Sequence, residues 1–165
     1  MKRRTFLVFT SALGLSSYVQ AKENSHFEKQ FKTVEDIISA VQEHFFPEES
    51  KIPSAESMNL TRFLFHTVSH KSYDRDIRAF VIEGAKELQK REKTFLFLSS
   101  QEKEISLRAY EETGYGSNWL SRIMILSMEG LFSDPIYGAN IKEGGWKALN
   151  AYGGFPRPKT RYIDV

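Results

Sequence analysis

Along most of the chain, apolar residues recur at three- and four-residue intervals, a period that predicts helices. Val34, Ile37, Ile38, Val41 and Phe45 fall on one helical face. Thr33, with Asp36 three residues on, offers a weak capping box for that helix, and Pro47 stops it. Residues 47–57 (PEESKIPSAES) read as a connection. A second helix is expected from about Ser54 or Ser57, with Met58, Phe63, Leu64, Thr67 and Val68 as a ragged apolar side, broken across 69–72. A third covers about Tyr73 to Lys90. Its inward stripe is Ile77, Phe80, Val81, Gly84 and Leu88, and its outer face Arg75, Arg78, Glu83, Lys86 and Glu87. Ser99 and Glu102 form a clear capping box for a fourth helix through about Glu112, with Ile105 and Ala109 directed inward. Residues 114–117 (GYGS) read as a turn. A fifth helix, about Asn118 to Leu131, is apolar on so many sides that it should be central.

The expected architecture is therefore all-α: about five helices in a small bundle, followed by a loop-rich C-terminal segment rich in Gly and aromatics. The run Thr94–Leu98 is strand-like in composition, but nothing supplies a pairing partner, so it reads as a link. Lys22 to Phe31 is read as a polar arm. The helical period is lost from Glu129 to Pro158, where Gly, Pro, Asn and aromatic residues concentrate. Asp134-Pro135 and Tyr137-Gly138 are turn signals. Ordering such a loop is costly, and Phe132, Tyr137, Trp146, Tyr152 and Phe155 are the aromatic candidates to anchor it. The tail from Arg157 is Pro-led and expected to be extended.

The 165 residues point to a single domain. With no cysteine, disulfides, thiolate metal sites and Cys nucleophiles are excluded. The formal charge of +2 includes Lys2, Arg3 and Arg4. Without them Lys+Arg falls from 23 to 20 against 21 acidic residues, leaving a net charge near −1. That balance argues against a nucleic-acid partner. Residues 1–21 read as a secretory signal: a basic start, an apolar stretch from Phe6 to Leu15, and Ala21 before the expected cut. Arg3-Arg4-Thr5-Phe6-Leu7 fits the twin-arginine pattern R-R-x-F-L, the mark of a route that exports folded proteins. The apolar run is too short and too interrupted by Ser and Gly for a retained anchor. The mature domain would then be 22–165.

Candidate chemistry is sparse. His66 and His70 are spaced i, i+4, as a helical metal pair would be, but no third ligand or Glu completes a zinc motif. There is no Gly-x-Ser-x-Gly elbow, no Gly-x-Gly-x-x-Gly opening a helix after a strand, and no Cys-x-x-Cys-His. No catalytic residue, cofactor site or metal site is assigned to this chain. Asp134, Tyr137, Asn140 and Trp146 leave three uses open: a small-molecule pocket, an internal structural knot, or a protein–protein surface.

The string Phe132-Ser-Asp-Pro-Ile-Tyr-Gly-Ala-Asn140, then Gly145-Trp146-Lys147, then Gly153-Gly154-Phe155-Pro156, resembles the DPxYGGN…GW…GFPG pattern of the gluconate 2-dehydrogenase subunit 3 family. The match departs at Ala139, where the family usually has a second Gly, and at Ile141-Lys142, where an Arg is common. The resemblance is specific over the last quarter of the chain and general over the helices. It implies a non-catalytic small subunit of a periplasmic, flavin-dependent gluconate or sugar dehydrogenase, held at the inner-membrane face through its complex. The implied partners are a catalytic subunit carrying FAD, a cytochrome c subunit with haem c where one is present, and the twin-arginine translocase during export. The residues it offers for the partner interface are Asp134, Pro135, Tyr137, Gly138, Asn140, Gly145, Trp146 and Phe155. A stand-alone small-molecule-binding protein and an export chaperone are the alternatives.

Overall fold

A computed structural model of the chain describes residues 26–161. The twin-arginine segment, Ala21 and the end of the tail lie outside these residues. The described residues are helical and contain no strand, so the all-α expectation holds; the helix count is somewhat above five. The helices are α1 over 26–32, α2 Glu35–Phe45, α3 Leu60–Ser69, α4 Arg75–Arg91, α5 Ser100–Glu111, α6 Gly114–Phe132 and the short α7 Gly144–Ala148.

Part of the expected arm is helix α1. Phe27 and Phe31, four residues apart, are both buried, and their ring centroids lie 6.0 and 5.0 Å from that of Phe65 on α3. Two rings on one face give an otherwise polar segment something to bury. Helix α2 starts one residue later than the capping-box reading. The Thr33 hydroxyl turns back to the Gln30 carbonyl at 2.7 Å, and Val34 takes the cap position with no side-chain bond. Helix α3 starts at Leu60, after Asn59 adopts a left-handed conformation at φ 56° that ends the preceding turns.

Arg78, expected on the outer face of α4, is only 7 % exposed. Its guanidinium Nη2 donates to the His70 carbonyl at the end of α3. A cation there complements the negative end of the helix, and that contact draws the side chain inward. On α5 the capping box forms as expected. The inward residues, however, are Leu107 and Tyr110, whereas Ile105 is 63 % exposed and Ala109 is exposed. Residues 114–117 are not a turn but the first turn of α6. The Thr113 hydroxyl caps it by accepting from the Gly116 N–H at 2.9 Å.

Helix α6 is the centre. It packs against α2, α3, α4 and α5 and buries Trp119, Leu120, Ile123, Leu126 and Leu131. One polar cluster sits inside this core. The wholly buried Gln42 donates to the Ser127 hydroxyl at 2.8 Å and accepts from the Thr61 hydroxyl at 2.7 Å, and Ser127 in turn donates to the Ile123 carbonyl at 2.7 Å. Each buried polar atom in this chain of bonds has a partner, as burial demands. A second apolar cluster, with Phe46, Ala55, Met58, Leu60, Leu131 and Ala139, carries the C-terminal loop. No described helix is long and apolar enough to cross a membrane.

Candidate functional site: the C-terminal loop

Helix α6 ends at Phe132 with Ser133 as its cap, where the chain must turn without leaving carbonyls orphaned. Asp134 starts the turn. Its Oδ1 accepts from the Ile136 N–H at 3.0 Å and caps a single 3₁₀ turn, Pro135–Tyr137. Gly138 closes it at φ 86°, a left-handed conformation that glycine adopts without cost. Tyr137 lies half-buried on this turn. Ala139 departs from the family pattern without strain: its φ is not positive, and its methyl is fully buried in the second cluster.

Asn140 is the hub. It is fully buried and left-handed at φ 50°. Its Nδ2 donates to the Ser133 carbonyl at 2.7 Å, and its Oδ1 accepts from the Gly145 N–H at 2.9 Å. One side chain therefore ties the end of α6 to the start of α7. Gly145 is needed for close approach: a Cβ there would sit 2.1 Å from the Leu131 carbonyl oxygen. Lys142 and Glu143 between them are also left-handed, a conformation that costs non-glycine residues roughly 1 kcal/mol or more each. They are held by the Lys147 ammonium, which donates to the Lys142 carbonyl at 2.7 Å, and by an ion pair from Glu143 to Arg157 at 3.1 Å.

Trp146 is buried, and its indole N–H donates to the Phe132 carbonyl at 2.8 Å, satisfying another end of α6. Gly153 lies flat on its ring; a Cβ there would fall 2.1 Å from Cη2. Arg157 covers the same ring at 4.5 Å from its centroid while its Nε donates to Asp134 Oδ2 at 2.8 Å. Guanidinium stacking, two carboxylates and a partly buried setting make a latch between the tail and the loop.

Burial pushes the Asp134 carboxyl up, but the Ile136 amide and Arg157 outweigh it and hold the group below its ordinary 3.8. A depressed carboxyl contributes stability above its unfolded value and loses it as pH falls through the folded one. The latch should therefore loosen only under acid conditions below that ordinary value. Thermal midpoints of wild type and Asp134→Asn, followed from neutral to acid pH, should start apart and converge at the acid end; a gap that is constant with pH contradicts this.

Of the eight interface candidates, Asp134, Asn140, Gly145 and Trp146 spend their polar groups or their space on the loop itself. Pro135, Tyr137 and Gly138 form the half-buried turn, and Phe155 is 85 % exposed. Tyr152 and Phe155, expected as anchors, point outward instead: the first is 77 % exposed, and Leu149 beside it 54 %. Arg157 was missed by sequence reasoning. A lone Arg in a Pro-flanked tail carries no signal of the carboxylate it meets 23 residues away. His66 and His70 do not make a pair. Helix α3 ends at Ser69; the His66 Nε2 accepts from Arg62 Nε at 3.2 Å, and His70 Nδ1 lies 2.7 Å from the Ser72 hydroxyl. Burial and then Arg62 and Arg161 lower the pKa of His66. No group of three or more potential metal ligands exists among the described residues.

Three surface clefts, of about 420, 450 and 540 Å³, lie between α4 and α5, between α2, α5 and α6, and beside the 47–56 connection. None is lined by a residue of the C-terminal loop. No curated protein and no solved structure matches the chain. One family does: the profile for gluconate 2-dehydrogenase subunit 3 matches residues 28–154, from α1 through the loop to Gly154. A match over that much of the sequence includes the Asn140 hub and the Trp146 stack, so the chain belongs to the gluconate 2-dehydrogenase subunit 3 family, one subunit of a multi-subunit dehydrogenase that implies a catalytic partner.

Proposed function

We propose that this protein is the non-catalytic small subunit of a periplasmic gluconate 2-dehydrogenase. It stabilises the FAD-bearing catalytic subunit and carries the export signal for it. The observation that carries this reading is the family match across 28–154. The sequence Arg3-Arg4-Thr5-Phe6-Leu7 extends it to export. We assign the flavin to the partner because this chain offers no Gly-x-Gly-x-x-Gly turn between a strand and a helix to hold its pyrophosphate. In this scheme the partner oxidises gluconate to 2-ketogluconate and passes electrons to a cytochrome c subunit where one is present.

The physical logic concerns order of events. FAD is available in the cytoplasm, so the catalytic subunit folds around it there. A folded flavoprotein needs a translocase that accepts folded cargo. A bound small subunit supplies the address by riding on the same particle, which then sits on the periplasmic face of the inner membrane.

Co-expression of both subunits tests this. With Arg3→Lys and Arg4→Lys together, periplasmic dehydrogenase activity should fall to background while FAD-loaded catalytic subunit accumulates in the cytoplasm. Undiminished periplasmic activity would count against the escort role.

A further inference from the structure

We infer that the partner-docking element is the exposed ridge of Leu149, Tyr152 and Phe155, displayed by the loop, rather than the motif residues that build the loop. The inference rests on the subunit reading above and names the surface that reading requires.

Three observations converge on the ridge. The first is apolar exposure within seven residues of chain: Leu149 is 54 %, Tyr152 77 % and Phe155 85 % exposed. At those exposures the three side chains present on the order of 400 Å² of apolar surface. A standard interface buries about 800 Å² on each partner and is apolar at its core, so the ridge is the right size for that core. It also matches the scale at which an exposed apolar patch on a soluble chain signals a contact.

The second is the main chain. From Tyr152 to Arg161 no backbone–backbone hydrogen bond is made among the described residues. The segment bends at 155–156, with Gly154 left-handed at φ 79°, so it displays its large side chains three residues apart and leaves main-chain groups for a partner to meet.

The third is that the segment is pinned at both ends. The Ala151 N–H donates to the Trp146 carbonyl at 2.8 Å, and Arg157 is fixed by Asp134, Glu143 and the Trp146 ring. Between these points Gly153 rests on the same ring. Such an arrangement holds apolar side chains out in water while limiting the ordering cost of binding. The buried motif residues thus act as positioning residues for the ridge.

The occupant is the catalytic subunit, offering an apolar cleft that accepts two aromatic side chains. The test uses purified FAD-loaded catalytic subunit and the mature small subunit, with affinity measured by titration calorimetry. Tyr152→Ser and Phe155→Ser should each weaken binding by roughly 30-fold, as central aromatic anchors do. The circular dichroism and thermal midpoint should stay at wild-type values, because both side chains already face solvent. Phe97→Ser, at a separate site that is 89 % exposed, is the control and should bind normally. Wild-type affinity in both ridge variants overturns the inference while leaving the subunit reading intact. Failure of wild type itself to bind the flavoprotein overturns both. So does a ridge-dependent homodimer, seen by light scattering, that excludes the catalytic subunit.

Discussion

Replacing Trp146 with alanine is expected to cost about 3 kcal/mol, the lower part of the range for removing a buried tryptophan. The side chain is 8 % exposed, so nearly all its contacts are lost. The loss has three parts. The Phe132 carbonyl gives up the indole donor at the end of α6, Gly153 loses the ring it rests on, and Arg157 loses its stacking partner. For a domain of this size the thermal midpoint should fall by about 10 °C. The damage should also be local. Helices α1 to α6 keep their own core, so far-UV ellipticity should barely change. Proteolysis should move to residues 149–158, which are anchored through this ring. A variant with unchanged midpoint and unchanged cleavage would show that the loop is held by something else. The same substitution should weaken partner binding, but through loss of order in the ridge, and a fold measurement separates the two routes.

Gly84→Ala sets two effects against each other. Alanine normally gains about 1 kcal/mol over glycine inside a helix. Here the added Cβ would stand 1.9 Å from Trp119 Cδ1 and 2.4 Å from its Nε1. Trp119 is fully buried, and its indole N–H donates to the Val81 carbonyl at 3.0 Å, so it cannot step aside. The Tyr110 hydroxyl donates to the Gly84 carbonyl at 3.0 Å from the third side. Overpacking of this kind costs about 1–3 kcal/mol, and the lost or distorted hydrogen bonds add about 1 each. Sterics should therefore win, with a net destabilisation of about 2 kcal/mol in urea or thermal unfolding. A stabilised Gly84→Ala variant would mean that α4 and α6 can separate without penalty.

The helices were legible because their signal is local. The period of apolar residues marks α2, α4 and α6, and the Ser99–Glu102 box places the start of α5 at the correct residue. The errors came where tertiary contact overrode local pattern. Ile105 looks like core but faces solvent, because Leu107 and Tyr110 reach α4 and α6 first. Arg78 looks like surface but is drawn in by the end of a neighbouring helix. Gly114 and Gly116 look like a turn but are helical, since Gly116 lets the chain pass close to the Tyr110 carbonyl. Phe27 and Phe31 have no visible purpose until Phe65 is placed beside them.

The C-terminal loop was legible in a different way. Its residue types pointed to an ordered structure, and the family pattern marked it as specific. Neither could say which side chains turn inward. Asn140 and Trp146 serve carbonyls at the end of α6, and only the folded path of the chain brings those carbonyls to them. Tyr152 and Phe155 belong to the same aromatic set by composition, yet they face water. That division separates the groups that build the loop from those that it displays.

The Gln42 amide inside the core has a consequence for alignment. The nearest alternative alignment displaces α6 along α2 by one turn, about 5.4 Å. In such a setting the Gln42 Nε2 would lose Ser127 on α6 and stand in a dry interior with nothing to donate to, while Thr61 on α3 would still hold the amide oxygen. The Gln42–Ser127 bond thus favours one axial position of α6, and with it the place in space from which the C-terminal loop is launched.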